Sequence, residues 1–363
     1  MAKRKKKFNK GLTIFLAIVL FLIGTVGGFC IYRMTLKPFE SDRMVSGDLE
    51  IHFLELGNKY TGDCTYIKAG DTDILIDAGS KASSIPTIAQ YLNANVDDGI
   101  LEYVIVTHAH EDHYAGFATN EDKESLFDLY DVEVIIDFAQ IEKGKESKTM
   151  YKNYVRERDE EIAAGATHYT AKECMEQDKN IFPIGEGIEL EILDSYYYYN
   201  VAEEENDHSV CAMINQGDEH FLFTGDLEKE GEEKLVEMNE LPEVTLYKAG
   251  HHGSSTSSND CLLEVIRPEI VCVCCCAGSS EYTTKVESQF PNQRFVERIA
   301  PYTDKVYVTT LCVDYDNDEY TSMNGNIVVT SSVDGVTVKG SANDTILKET
   351  EWFKKTRKMP TGW

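Results

Sequence analysis

Hydrophobic positions along the chain follow two periods, and their order predicts an α/β domain. Short alternating or apolar runs at 49–56, 65–68, 72–77, 101–107 and 132–138 read as strands. Residues 84–94 and 148–164 carry apolar positions at helical spacing, and 169–178 is irregular. Strand patterns return at 188–193, 209–214, 220–224 and 244–249, with helices expected at 227–238 and 260–266. A helix over 290–300 and strands at 305–311 and 325–330 follow. Asp334-Gly335 predicts a tight hairpin joining 326–331 to 336–339. The tail from Asn343 reads as a loosely packed helix.

The amino terminus breaks this pattern. Residues 11–32 carry no charge and are long enough to cross a hydrocarbon core of about 30 Å as a helix. Lys3, Arg4, Lys5, Lys6, Lys7 and Lys10 precede them, which by the positive-inside rule leaves 1–10 in the cytoplasm. The expected organisation is a basic segment 1–10, a transmembrane anchor 11–32, a linker 33–48, a catalytic domain 49–340 and a tail 341–363. The domain is then extracellular on a single-pass membrane protein.

Charge narrows the function. The chain has 63 acidic against 35 basic residues, a net −28, and six of the basic ones lie in the first ten positions. So acidic a domain disfavours non-specific nucleic-acid binding, which depends on many Lys and Arg contacts to phosphate. Of the 10 cysteines, Cys272, Cys274, Cys275 and Cys276 fall in one apolar run. That run reads as a buried strand, whose alternating faces keep the sulfurs from converging on one ion.

Five of the 9 histidines sit in two clusters. The first, Thr107-His108-Ala109-His110-Glu111-Asp112-His113, follows an apolar strand, where α/β folds place ligands. Four potential ligands in so short a run suit two adjacent metals better than one. Thr224-Gly225-Asp226 and Gly250-His251-His252-Gly253-Ser254 also follow strands. One carboxylate such as Asp226 can bridge two ions, an oxygen to each.

These segments, together with Ile74 to Gly79 and Phe223 to Glu228, resemble the metallo-β-lactamase superfamily. More narrowly they resemble the hydrolase domain of ComEC-type competence proteins. The resemblance implies a four-layer αβ/βα sandwich with two divalent ions, zinc or alternatively manganese. It implies His108 and His110 on the first ion, Asp112, His113 and His252 on the second, and Asp226 as the bridge. Asp77 orients the His turn, Asp112 takes part in catalysis, and His251 faces the substrate. Which of His251 and His252 is the ligand stays open, and His208 is a further candidate ligand. Two segments depart from the ComEC pattern: 57–63 is longer, and Phe290-Pro291 stands where His-Pro is expected. The implied function is a phosphodiesterase acting on DNA or on a cell-envelope phosphodiester. The alternatives are a lactamase or lactonase of the same fold, or a non-catalytic binding domain. His52, His168 and His220 match no motif and are expected to be structural.

Overall fold

The computed structural model describes residues 49–120 and 122–363. The basic segment, the anchor and the linker expected at 1–48 lie outside the described residues. Among the described residues no helix is long and apolar enough to cross a membrane.

Six strands open the first sheet: β1 (Leu49–Phe53), β2 (Thr65–Ala69), β3 (Thr72–Ile76), β4 (Ile100–Val106), β5 (Asp131–Asp137) and β6 (Thr167–Thr170). Eight then build the second sheet: β7 (Ile181–Gly185), β8 (Ile188–Ile192), β9 (Ala212–Gln216), β10 (Glu219–Phe223), β11 (Leu246–Lys248), β12 (Ile270–Ala277), β13 (Val306–Asp314) and β14 (Glu319–Ser322). The chain finally returns to the first sheet with β15 (Ile327–Ser332) and β16 (Gly335–Gly340). The sheet orders are β16-β15-β1-β2-β3-β4-β5-β6 and β14-β13-β12-β11-β10-β9-β8-β7. Both sheets are mixed. Strands β3 to β6 and β10 to β13 run parallel, and their flanks run antiparallel.

Parallel neighbours need crossovers, and helices supply them. Ile85–Asn95 joins β3 to β4 and buries Ile85, Ile88, Ala89, Tyr91 and Leu92, with a proline in its first turn. Thr149–Ala164 leads into β6, Lys229–Met238 into β11, Asp260–Ile266 into β12 and Gln293–Ile299 into β13. One core contains residues of both sheets, including Phe53 of β1, whose ring lies 6.4 Å from that of Phe223 on β10. A second core packs Leu235, Leu262, Phe295 and Ile299 of the helices against the other face of the second sheet. β12 alternates between the two. Cys272 and Cys274 enter the first core and Cys275 the second, so the sulfurs do not form one site.

Three sequence expectations are corrected. The tail is firmly packed: Leu347 and Phe353 are buried, and Trp363 donates its indole N–H to the Thr303 carbonyl at 2.8 Å. Its charges hid the few apolar residues that anchor it. Residues 169–178 resolve into the end of β6 and a helix, Ala171–Glu176, capped by Thr170. The edge strands β7 and β14 had no strand pattern because each has little to bury. β7 tolerates Pro183 at an edge, and β14 is almost wholly exposed.

Phe223 bridges the two layers next to the functional strand end. Replacing it with Ala is expected to destabilise the domain by about 3–5 kcal/mol. A shift in urea denaturation midpoint at unchanged slope measures this. A shift below about 1 kcal/mol would contradict the shared core.

Candidate metal centre

The carboxyl ends of β3, β4, β10 and β11 deliver the polar residues. Asp77 follows β3 in a left-handed conformation (φ 59°) that turns its carboxylate toward β4. Its two oxygens accept from the Thr107 backbone N–H (2.8 Å) and hydroxyl (2.7 Å), and the second also meets His113 Nδ1 at 2.7 Å. Asp77 therefore orients the His turn. The backbone is stitched to match: Ala78 N donates to His113 O, Asp63 N to Asp112 O, and Gly79 N to Asp63 O. Gly79 has no alternative, since a Cβ there would stand 1.6 Å from the Asp112 carbonyl oxygen.

Asp226 lies at the centre. Its Oδ2 is 3.1 Å from His113 Nε2 and 3.2 Å from His252 Nε2. His252 Nε2 is also 3.5 Å from Asp112 Oδ2. His108 Nε2 and His110 Nδ1 lie 3.0 Å apart, and the His108 ring is 4.2 Å from that of His113. Two ligand atoms at tetrahedral corners of a zinc ion with bonds near 2.1 Å stand roughly 3.4 Å apart. The four separations between ligand atoms, 3.0 to 3.5 Å, lie near that value.

The remaining candidates are placed differently. His251 and His252 both have positive φ, 47° and 55°, so adjacent side chains diverge. His252 points inward. His251 stands at the rim, with Nε2 3.9 Å from Asp226 and Nδ1 beside Thr256 Oγ1 (3.0 Å) and Glu228 (3.3 Å). His208 is not brought into the cluster. Its Nε2 accepts from the Ala202 N–H at 2.9 Å, and its Nδ1 faces Glu205 at 3.5 Å. Glu205 in turn accepts from the Ala109 N–H, so this pair braces the His turn from behind. His52, His168 and His220 bond to Tyr91, Asp137 and Asn215, all outside the cluster.

Two residues with no expected role occupy the site. Asp63 is buried, and it forms with His113, Asp226 and His252 a group whose ligand-type atoms all lie within 4.8 Å. Its oxygens, however, approach the Nδ1 edges, 3.1 Å from His252 and 3.8 Å from His113, opposite the edges that meet Asp226. Buried Lys248 forms an ion pair with it, and Lys248 Nζ lies 3.9 Å from Asp226 Oδ1. That position makes Asp63 a support behind the imidazoles. In the sequence both residues stood at the edge of motifs, with only a Gly-Asp pair and a strand end to mark them.

Burial sets the electrostatics. It opposes ionisation of Asp226, yet His113 and His252 hold that carboxyl well below the usual carboxylate range. Burial likewise works against protonated imidazole, but Asp226 and Asp77 push His113 up to about 10. Asp226 and Asp63 raise His252 similarly. His108 is driven the other way by burial and by its neighbours His113 and His110. A site rich in carboxylate thus draws protons onto His113 and His252. Asp226 Oδ1, His113 Nε2 and His252 Nε2 are buried without a hydrogen-bond partner. Such orphaned ligand atoms are costly unless a cation meets them, so the donor set fits divalent metal.

A model of the metallo-beta-lactamase superfamily matches residues 57–119. Among curated proteins, "Recombination protein 2" of Haemophilus influenzae is 27% identical over 126 residues, 35% of this chain and 15% of that protein. "ComE operon protein 3" of Bacillus subtilis is 25% identical over 177 residues, 47% of this chain and 19% of that protein. The chain therefore spans less than a fifth of either relative. Among solved structures, the metallo-beta-lactamase fold protein YhfI of Bacillus subtilis is 12% identical, with a TM-score of 0.34 over 55% of this chain and 71% of that one. It is with the metallo-beta-lactamase superfamily, across the segment that carries Asp63, Asp77 and the His turn, that this chain shows its family likeness.

Proposed function

We propose that the chain is a metal-dependent hydrolase of phosphodiesters, working outside the cell on a membrane anchor at 11–32. The observation that carries this reading is the convergence of His113 and His252 on one buried, partly orphaned carboxylate, Asp226, with the His108–His110 pair adjoining. His108 and His110 would hold one ion and Asp112, His113 and His252 the other, with Asp226 shared. Bound divalent cations supply activation of water at neutral pH and polarisation of the scissile group. Zinc suits these ligands, and manganese is compatible with the carboxylates.

The protein's own groups do the rest. Asp77 fixes His113 from behind, and the Cys274 carbonyl, 2.9 Å from Nδ1, does the same for His252 with Asp63 beside it. His251, at the rim with Glu228 behind Nδ1, is placed to pass a proton to a leaving oxygen through Nε2. Beside it, a cavity of about 290 Å³ is lined by five acids, Glu203, Glu204, Asp207, Glu228 and Glu230, against one base, Lys229. That wall repels phosphate, so an anionic substrate enters from the rim where Tyr282 and Phe290 stand. A DNA strand and an envelope phosphodiester both have the required group, and the partial likeness to the recombination and ComE proteins favours DNA. The lactamase reading is weaker because His208 is engaged elsewhere.

Purified chain is expected to hold about two divalent ions and to cleave phosphodiester rather than lactam substrates. Asp226→Ala should lower occupancy and reduce turnover more than ~100-fold, beyond what loss of a supporting residue costs. His208→Ala, which reaches the His turn only through Glu205, should leave occupancy unchanged and cost no more than the ~10–100-fold of a supporting residue. The reverse ranking, read by elemental analysis and initial rates, would reject this ligand assignment.

Metal uptake should also release protons. In the metal-free site His113 titrates near 10, so it is protonated at neutral pH, and His252 is shifted the same way. An ion must displace both protons, whereas His108 has none to lose. Apparent affinity should therefore rise with pH below those pKa values. Calorimetric titrations in buffers of different ionisation enthalpy measure the release, and uptake without protons would contradict this account.

A further inference from the structure

Residues 278–292 link β12 to the helix Gln293–Ile299, and only Phe290-Pro291 within them was singled out by sequence. The segment is an unusually well-tied loop. Its ends are closed by Gly278 N donating to Phe290 O at 2.9 Å, and Asn292 N ties it to Gly253 of the His-His turn at 2.8 Å. At Gly278 (φ +77°) the backbone passes so near the tail that a Cβ would lie 2.6 Å from Trp352 Nε1.

The strongest tie comes from the carboxyl-terminal tail. Arg357 is 7% exposed and sits 4.5 Å from the Trp352 ring centroid. Its guanidinium donates to three carbonyls of the loop: Val286 (2.8 Å), Gln289 (2.8 Å) and Pro291 (2.9 Å). Burying a guanidinium is costly unless its donors are met, and only a planar fork reaches three carbonyls so placed. The loop is thereby held in one conformation.

The other side of this loop faces the metal cluster. Tyr282 is 58% exposed, yet its hydroxyl donates to Asp112 Oδ2 at 2.7 Å. Its ring is 5.6 Å from Phe290, which in turn lies 5.8 Å from His252. The neighbouring Glu281 accepts from the Thr61 N–H at 2.9 Å, tying the tip to the segment that carries Asp63. An exposed phenol ordinarily has water for a partner. Here the loop presses it onto a carboxylate whose same oxygen faces His252 Nε2.

We propose that Tyr282 is a positioning residue for Asp112, held in place by the carboxyl-terminal tail through Arg357. This rests on the metal reading above. A hydrogen bond to one lone pair of Oδ2 stops the carboxylate from rotating and leaves its other lone pairs directed at the second ion. The tail, far in sequence from every ligand, is then part of the metal site. The effect is confined to the second ion, because Tyr282 touches neither His108 nor His110.

The test is titration of the chain of residues 1–363 in detergent with Co2+ against a chelator, following the ligand-field absorption, with urea midpoints in parallel. Wild type should take up two equivalents. Tyr282→Phe keeps the ring and removes the donor. It should weaken the second equivalent by about 10–100-fold and alter its absorption band, leaving the first equivalent and the urea midpoint unchanged. Arg357→Lys should weaken the same equivalent, since an ammonium cannot span three carbonyls. If Arg357→Lys also lowers the midpoint, Tyr282→Phe alone decides. Unchanged affinity and spectrum in Tyr282→Phe would overturn this inference and leave the metal reading intact. A wild type that binds fewer than two ions would overturn both.

Discussion

Buried negative charge is the constraint on which the rest of this structure depends. Asp63, Asp77 and Asp226 are sequestered from water, and Asp112 nearly so, within one small volume. Carboxylates so placed repel one another and lose hydration, at a cost of several kcal/mol each unless a cation is near. The fold meets that demand in two ways. Lys248 is a permanent cation between Asp63 and Asp226. His113 and His252 are conditional ones, charged by the same carboxylates they neutralise. A permanent ammonium cannot be exchanged for a metal, whereas a proton on imidazole can. The division between Lys248 and the two histidines thus separates what holds the site together from what it can trade.

Much of this was legible in the sequence because the informative residues lie on strand ends. An apolar run followed at once by His, Asp or Gly marks both the element and the functional residue, as at Thr107, Thr224 and Gly250. The two-sheet architecture and the final hairpin were readable for the same reason, although the turn is Val333-Asp334 and Gly335 already pairs with Ser332. The illegible parts share a cause too. Asp63 and Lys248 act through one another across the fold, and neither has a local pattern. Tyr282 lies on a loop whose shape is set by Arg357, so no window of sequence contains both partners. β7 and β14 bury too little to leave a hydrophobic trace.

The family likeness is unevenly spread over the molecule. The superfamily match ends at residue 119, within the first sheet's contribution. Asp226 and His252 come from the second sheet, well beyond the end of that match. The cluster exists only where the two sheets meet, so neither half of the chain carries a working site alone. Residues 278–292, with the tail beneath them, lie beyond that match and touch the cluster from outside. Variation there changes the surroundings of the ligands without replacing any of them.

The return of β15 to the side of β1 has a consequence for how the chain is made. Leu49 pairs with Ser331, so the first strand to emerge waits for nearly the last. Until then β1 has its β2 partner and an open edge, a template for unwanted pairing. Closing so large a loop is slow, and long-range strand pairing leaves partly formed intermediates exposed during synthesis. The order of assembly is therefore set by this one seam: β2 to β6 can form early, but the sheet is sealed only when the final hairpin arrives. A chain stopped short of residue 332 would retain its His turn and still lack a closed domain to hold it.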